Sequence, residues 1–180
     1  MFPAHSMTML RFSAALALLL SISAVVSAQE RTLTGTYRLA PDAQQVVDKA
    51  IDKAAAQFNF LIRPVARSRL KKTNPVHDRL VIEQTDRDIS VTFDHDKPIR
   101  TVANDGPIKW TRDDGEVFDL ATQLRQGVLM HTFVASDGRR VNSYSLSPDG
   151  RTLTLQVTLT SEQLKSPVEY SLVYWREDER

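Results

Sequence analysis

The sequence predicts a mainly β protein: an antiparallel up-and-down meander of about 8–10 strands closing into a barrel, with a helical insertion after the first strand. The clearest evidence is residues 152–160, where leucine and valine alternate with threonine and glutamine. Successive side chains of a strand point to opposite faces, so this segment has one apolar and one polar face. Short turns containing Asp-Gly, such as residues 147–150, are typical of antiparallel hairpins.

The first strand is predicted at residues 32–39, and the helical insertion begins at Pro41-Asp42. Apolar residues recur at helical spacing from residue 46 to residue 58, which predicts one amphipathic helix. Arg63-Pro64 is predicted to break or kink it, because proline disfavours helical backbone in the preceding residue. A second short, strongly basic helix is predicted over residues 65–71, ending before Asn74-Pro75.

From residue 79 onward the chain is predicted to consist of strands joined by short turns. The segments are residues 80–84, 89–93, 99–103, 108–111, 116–124, 128–135, 139–147, 152–160 and 168–175. Together with the first strand this makes about ten, and a sheet of that length usually curls or closes. The sequence contains no internal repeat and no low-complexity linker, so residues 29–180 are predicted to form a single domain.

Residues 1–28 have the features of a secretory signal peptide. Arg11 precedes an apolar run at residues 12–22, and Val26-Ser27-Ala28 offers small residues at a cleavage site. The apolar run is too short to span a bilayer. We therefore expect the protein to be periplasmic or extracellular in a bacterium; Met1, Met7 and Met9 all remain possible start residues.

The composition excludes several functional classes. Removing residues 1–28 leaves 180 − 28 = 152 residues, with 23 − 1 = 22 basic and 22 acidic side chains. This neutral balance argues against a nucleic-acid partner. The absence of cysteine excludes thiol catalysis and thiolate metal sites. No later segment is apolar enough for a membrane helix, and many strands are shorter than the roughly 9–11 residues that a membrane barrel needs. After signal cleavage we expect no membrane span.

One strand, a helical insertion and an uninterrupted meander resemble the calycin group, which includes lipocalins and intracellular fatty-acid-binding proteins. Leu33-Thr34-Gly35-Thr36-Tyr37 stands where this group often has Gly-x-Trp, and residues 42–72 stand where fatty-acid-binding proteins have a two-helix lid. Near their C-terminal end, fatty-acid-binding proteins have an Arg-x-Tyr pair that binds the fatty carboxylate. This pair is missing here, and residues 170–174 stand in its place. The chain is also similar to secreted bacterial proteins of lipocalin-like type. The resemblance covers residues 32–176 and implies a lipocalin-like barrel.

The leading functional hypothesis is an exported, non-enzymatic protein that binds a small hydrophobic or amphipathic molecule, such as a lipid or fatty acid, inside the barrel. A leucine-rich inner face suits such a ligand. The candidate ligand-binding residues are polar groups inside, aromatic residues inside and arginines of the lid: Arg125, His131, Tyr144, Tyr170, Trp110, Phe118, Phe133, Arg67 and Arg69. His131, on an apolar face, suits either a hydrogen-bonded core position or a ligand contact.

Two alternatives remain open at this level. The barrel can be filled and act as an envelope interaction module, or it can be a calycin-type isomerase or cyclase, although no nucleophile, metalloprotease or phosphate-loop motif is present. The basic segment at residues 63–72 can contact anionic lipid or remain a solvated helix face. His77 and Asp78 could form a metal site together with residues 94–96. All of them lie in predicted turns, where aspartate is common because its side chain hydrogen-bonds to the turn backbone. We therefore expect no metal and no cofactor.

Overall fold

The computed structural model describes residues 32–177, and the predicted signal peptide lies outside them. It contains the predicted helical insertion and all ten predicted strands, so the predicted fold class is confirmed. The elements are β1 (Gly35–Leu39), α1 (Ala43–Ala55), α2 (Arg63–Thr73), β2 (Arg79–Gln84), β3 (Asp88–Phe93), β4 (Ile99–Val102), β5 (Ile108–Thr111), β6 (Val117–Arg125), β7 (Val128–Val134), β8 (Gly138–Leu146), β9 (Thr152–Ser161) and β10 (Val168–Arg176).

The ten strands form one antiparallel sheet in the order β4-β3-β2-β1-β10-β9-β8-β7-β6-β5. The first and last strands of the meander meet, with Tyr37 of β1 opposite Arg176 of β10. The edges of the sheet are β4 and β5, which are consecutive in the chain. No backbone ladder joins these two strands within residues 32–177. We call this interruption of the barrel wall the β4–β5 seam.

Side chains close the β4–β5 seam where backbone pairing does not. Ile99 of β4 packs in a small apolar cluster with Leu120 and Phe133 from beyond the seam. After β4, the Asn104 backbone N–H donates to the Thr122 carbonyl at 2.9 Å. The Asn104 side-chain amide exchanges two hydrogen bonds with the Leu124 backbone, each 3.1 Å long. The seam therefore depends on one apolar cluster and one asparagine.

The two helices lie over one end of the barrel wall. α1 buries Val47, Ile51 and Ala54 and contacts β10. The break between the helices differs from the prediction: α1 ends at Ala55, and Pro64 lies in the first turn of α2. A proline is favourable there, because its missing N–H would have no helical partner at that position. Pro64 thus begins α2 and does not interrupt α1. No helix within residues 32–177 is both long and apolar enough to cross a membrane.

Ion pairs join α1 to α2. Asp48 forms an ion pair with the Lys71 ammonium at 2.8 Å, and Asp52 pairs with the Arg67 guanidinium. The hydrogen bond from Lys71 lowers the pKa of Asp48, and that from Arg67 lowers the pKa of Asp52. These acids lie four residues apart in α1 and would repel one another in an isolated helix. Two cations of α2 therefore offset the repulsion between these acids, and these two cations are already paired within the protein.

The opposite end of the barrel is closed by Arg176. Its guanidinium lies 5.3 Å from the centre of the Tyr37 ring and donates to the Tyr37 hydroxyl at 2.8 Å. The same group donates to the Thr34 carbonyl at 3.0 Å. The Tyr37 hydroxyl in turn donates to the Leu33 carbonyl at 2.6 Å. This network ties the start of the described chain to the last strand at the end of the barrel opposite the helices.

Candidate functional site

A cavity of about 840 Å³ occupies the helix end of the barrel. Its walls come from α2, from the inner faces of the strands, and from the turns that follow β3, β5, β7 and β9. This volume is in the range of small-molecule binding sites, about 300–1,000 Å³. The helix end of the barrel therefore has room for a small molecule.

Three aromatic side chains form one wall of the cavity. Trp110, Phe118 and Phe133 contact one another with ring centroids 5.3, 5.8 and 6.1 Å apart, two of the three pairs edge to face. Their positions follow from the strand register, because Trp110 lies opposite Phe118 in the β5–β6 ladder. The predicted placement of these residues inside the barrel agrees with the structure, while their contact with a ligand stays a prediction. Aliphatic side chains lie beside them: Leu155, Val157, Leu159 and Leu172. Charged residues of the turns also line the cavity, among them Asp96, Arg112, Glu116 and Asp137.

A polar cluster lies beside this apolar surface, centred on Arg140 of β8. The Arg140 Nε donates to Asn142 Oδ1 at 2.8 Å, and Nη1 donates to Asn74 Oδ1 at 3.0 Å and to the Thr73 carbonyl at 3.1 Å. Nη2 lies 3.3 Å from the Tyr170 hydroxyl, which itself donates to Asn74 Oδ1 at 3.0 Å. We call Asn74, Arg140, Asn142 and Tyr170 the Arg140 cluster.

The acceptors around Arg140 are neutral. Within residues 32–177 no carboxylate forms an ion pair with its guanidinium. Arg140, Asn142 and Tyr170 all line the cavity. A guanidinium keeps its charge at any physiological pH and binds carboxylates through two parallel N–H donors. The cluster can therefore take an anionic group at the edge of an apolar cavity.

Two further polar side chains, Tyr144 and His131, are buried in the barrel wall next to the Arg140 cluster. Asn142 Nδ2 donates to the Tyr144 hydroxyl at 3.3 Å, and burial raises the pKa of Tyr144 to about 12. His131 is fully buried, edge to face with the rings of Phe133 and Tyr144 at 5.9 and 5.7 Å. Burial lowers the pKa of His131 to about 4, so its imidazole is neutral at pH 7. Neither residue is part of the cavity lining.

The predicted arginines are placed differently from one another. Arg69 lies at the mouth of the cavity, whereas Arg67 turns away from it and pairs with Asp52. Arg125 is exposed at the closed end, so its predicted interior position is wrong. The physical reason is the two-residue period of β6: Leu120, Thr122 and Leu124 face inward, which directs Arg125 outward.

The sequence-based hypothesis omitted the centre of the polar cluster. With Tyr144 predicted inside, the period of two along β8 also places residues 140 and 142 inside, and this signal was available. Asn74 carried no comparable signal, because it follows α2 and meets Arg140 only in the folded barrel. His77 was also absent from the predicted ligand site. It lines the cavity, and its Nδ1 lies 2.9 Å from an Asp94 carboxylate oxygen. No group of three or more metal-ligating side chains occurs among the described residues.

The fold is shared with several solved structures. No family profile matches the chain, and no curated protein matches it in sequence. Three similar structures are the REP1-NXSQ fatty acid transporter, human cRBP IV and a Schistosoma mansoni fatty acid binding protein in complex with arachidonic acid, each 13% identical with a TM-score of 0.51. The matches cover 82%, 82% and 81% of this chain, and 98%, 99% and 96% of the other chains. The chain therefore has the barrel fold of these structures, as the sequence resemblance implied.

Proposed function

We propose that this protein is an exported carrier of an anionic amphipathic lipid, such as a fatty acid, held with its tail in the cavity and its carboxylate at Arg140. The observation that carries the proposal is a guanidinium without an acidic partner among the described residues, beside a cavity of about 840 Å³ that has an aromatic and aliphatic wall. Two of the structural neighbours are named for fatty acids, which supports the same class of ligand. Export rests on the signal-peptide pattern of residues 1–28.

The carboxylate would bind between Arg140 and Tyr170. Both side chains now share Asn74 Oδ1 as an acceptor. A carboxylate can replace this neutral acceptor on both donors, and hydrogen bonds between charged groups are roughly twice as strong as neutral ones. Asn74 would remain attached to the end of α2 through its bond from Nδ2 to the Leu70 carbonyl at 2.8 Å. Ligand binding is thereby coupled to the position of the second helix.

The connection between the two helices, together with α2, has a surface that suits an anionic membrane, which supports exchange of the ligand there. Phe60, Leu61 and Val65 expose 76%, 72% and 60% of their surface. These apolar side chains lie next to basic ones, of which Arg63, Arg69 and Lys72 have no ion pair within residues 32–177. Exposed apolar groups beside cations suit the interface of an anionic bilayer. We call residues 60–65 the lid tip.

The carboxylate site is tested by comparing Arg140→Met with Arg125→Met, which removes the same charge at the closed end. Calorimetric titration with palmitate should show affinity about 10- to 100-fold weaker for Arg140→Met, because a hydrogen bond to a charged group contributes about 1.5–3 kcal/mol. Arg125→Met should bind palmitate like the wild type, and the uncharged hexadecanol should not distinguish Arg140→Met from the wild type. Equal palmitate affinity in both variants would contradict the site, and no binding by the wild type would contradict the function.

A further inference from the structure

His77 and Asp94 form a hydrogen-bonded pair that the proposed function does not use. His77 lies between α2 and β2, and Asp94 follows β3. The His77 Nδ1 lies 2.9 Å from Asp94 Oδ2, and Asp94 Oδ1 accepts from the Arg79 backbone N–H at 2.9 Å. The His77 ring packs on Phe93 with ring centroids 4.8 Å apart, and the His77 carbonyl accepts from the Tyr174 hydroxyl at 3.1 Å. The position of the imidazole is therefore fixed by its neighbours.

The Asp94 carboxylate determines which ring nitrogen can serve a ligand. Burial raises the pKa of the Asp94 carboxyl, but hydrogen bonds from the Arg79 N–H and the His77 ring outweigh burial, so the pKa is lowered overall. An ionised carboxylate accepts hydrogen bonds and cannot donate them. In the neutral imidazole the proton therefore lies on Nδ1, and Nε2 carries the lone pair that can accept a hydrogen bond.

The Nε2 atom of His77 is open to the main cavity. Within residues 32–177 it has no hydrogen-bond partner, and it is not among the buried unpaired polar atoms of that range. The His77 side chain exposes 21% of its surface. His77 lines the cavity of about 840 Å³, whereas Asp94 does not. The ring edge that faces away from Asp94, which carries Nε2, therefore meets the cavity.

One ligand can reach both His77 and the Arg140 cluster, because they line the same cavity. His77 follows Asn74 by three residues, so the Cα atoms of the two are at most about 11 Å apart. Asn74 accepts from both Arg140 and Tyr170. Tyr174, which donates to the His77 carbonyl, lies on the same face of β10 as Tyr170. The Arg140 cluster and His77 therefore lie along one wall of the cavity.

The chemistry of Nε2 selects a ligand group that donates a hydrogen bond. A hydroxyl can donate to Nε2, whereas a ketone or carboxylate oxygen can only accept. A second carboxylate would in addition be repelled by the neighbouring Asp94 carboxylate. Asp96 and Lys97 of the same turn also line the cavity, and their opposite charges leave no excess of positive charge that would offset this repulsion.

We propose that His77, oriented by Asp94, is a second polar site of the main cavity, where Nε2 accepts a hydrogen bond from a hydroxyl on the chain of the lipid whose carboxylate lies at Arg140. This inference rests on the proposed function and narrows its ligand to hydroxylated fatty acids or similar amphipathic acids. The role of Asp94 is to position the ring: its carboxylate holds the proton of the imidazole on Nδ1 and so keeps Nε2 free as an acceptor.

The test compares stearate with a series of stearates that carry one hydroxyl at successive chain carbons, by calorimetric titration at about pH 8.5, where a neutral imidazole is favoured. The wild type should bind the best hydroxylated acid about three- to tenfold more tightly than stearate, the range that one neutral hydrogen bond provides. The acid with a ketone at the same carbon should show no such gain, because a ketone cannot donate.

Two variants locate the acceptor. His77→Phe keeps an aromatic ring against Phe93 and removes the ring nitrogens, so it should abolish the preference for the hydroxylated acid and leave stearate affinity unchanged. His95→Phe is the matched control, because His95 lies exposed in the turn after β3 and is not part of the cavity lining. It should retain the preference.

A second measurement needs no variant. In nitrogen NMR spectra of the wild type at the same pH, the Nε2 signal of His77 should shift when the hydroxylated acid binds and should shift less with stearate. An Nε2 signal that responds equally to both acids overturns the inference, even if His77→Phe does not fold.

The outcomes separate this inference from the proposed function. If stearate binds and no hydroxylated isomer binds more tightly, the second site is overturned while the carrier stands. A preference that survives in His77→Phe, or an equal gain for the ketone, also overturns the second site. If neither stearate nor any hydroxylated acid binds, the carrier function fails together with the inference.

Discussion

His131 is the residue whose protonation couples most directly to the stability of the barrel. Its pKa falls from 6.5 to about 4 on folding, because the buried imidazole loses its hydration. Between these values the unfolded chain binds a proton that the folded chain does not, so stability is fully present above pH 6.5 and falls as the pH drops toward 4. The full shift corresponds to about 3 kcal/mol.

We therefore predict that His131→Leu makes stability less dependent on pH. Urea unfolding of the wild type should lose about 2 kcal/mol from this residue between about pH 7.5 and pH 5. The variant should lack this component, while the exposed His95→Leu should behave like the wild type. Identical pH dependence of the wild type and His131→Leu would show that the imidazole is not buried in its neutral form.

Tyr37 is a second residue with a measurable role, at the closed end. Tyr37→Phe removes the hydroxyl that accepts from Arg176 and donates to the Leu33 carbonyl. We expect it to lower the free energy of unfolding by about 1–3 kcal/mol, because the Arg176 guanidinium loses an acceptor. Thermal and urea unfolding measure this loss. Tyr170→Phe, which removes a hydroxyl at the open end, is the comparison variant, and it should weaken ligand binding. An unchanged midpoint for Tyr37→Phe would mean that the network at this end contributes little.

At the scale of the elements, α2 divides its charges between two tasks. Arg67 and Lys71 are paired with acids of α1, whereas Arg63, Arg69 and Lys72 have no ion pair among the described residues. Replacing the latter three with glutamine should weaken binding to vesicles containing anionic lipid by about a hundredfold, since each cation near such a surface contributes about 1 kcal/mol. Added salt should reduce the wild-type affinity in the same direction.

The control for this experiment replaces Lys109, Arg125 and Arg151, three exposed cations away from the helices, with glutamine. That variant has the same net charge and should keep its vesicle affinity. Phe60→Ser with Leu61→Ser should weaken vesicle binding without loss of stability, because both side chains are exposed. If the α2 variant and the control variant lose the same amount of vesicle affinity, net charge alone explains the effect. That result would contradict a docking role for the lid tip.

At the scale of the whole molecule, the barrel wall is continuous except at the β4–β5 seam. Asn104 bridges this seam with a left-handed backbone, φ 59°, and two side-chain hydrogen bonds. Asn104→Gly keeps that conformation accessible and removes only the side chain. We expect faster amide hydrogen exchange at Leu124, which loses its acceptor, and a loss of about 1–2 kcal/mol in stability.

Asp105→Ala is the matched control in the same turn, because within residues 32–177 the Asp105 carboxylate accepts a side-chain hydrogen bond from the neighbouring Gly106 N–H alone. Exchange at Leu124 should be unchanged in this variant. If Asn104→Gly leaves the exchange of Leu124 as slow as in the wild type, the Asn104 side chain does not hold the seam, and the Ile99 cluster and the Asn104 N–H bond to Thr122 close it.

The helices show how far local pattern extends. Apolar spacing predicted α1, and Asn74-Pro75 predicted the end of α2, because each depends on residues within one or two turns. The same reasoning misplaced the break between them. Pro64 favours both the end of one helix and the start of another, and the packing of α1 on β10 decides between these possibilities.

The sequence by itself determined the strands, their turns and their inward faces, since alternation and Asp-Gly turns act between near neighbours in the chain. It thereby predicted Trp110, Phe118, Phe133 and Tyr170 inside the barrel. Only the tertiary structure decided that Arg140 meets Asn74, which lies 66 residues away, and that β4 and β5 remain unpaired. Such contacts depend on how the sheet curls and on which side chains then share a cavity, and no local pattern encodes either.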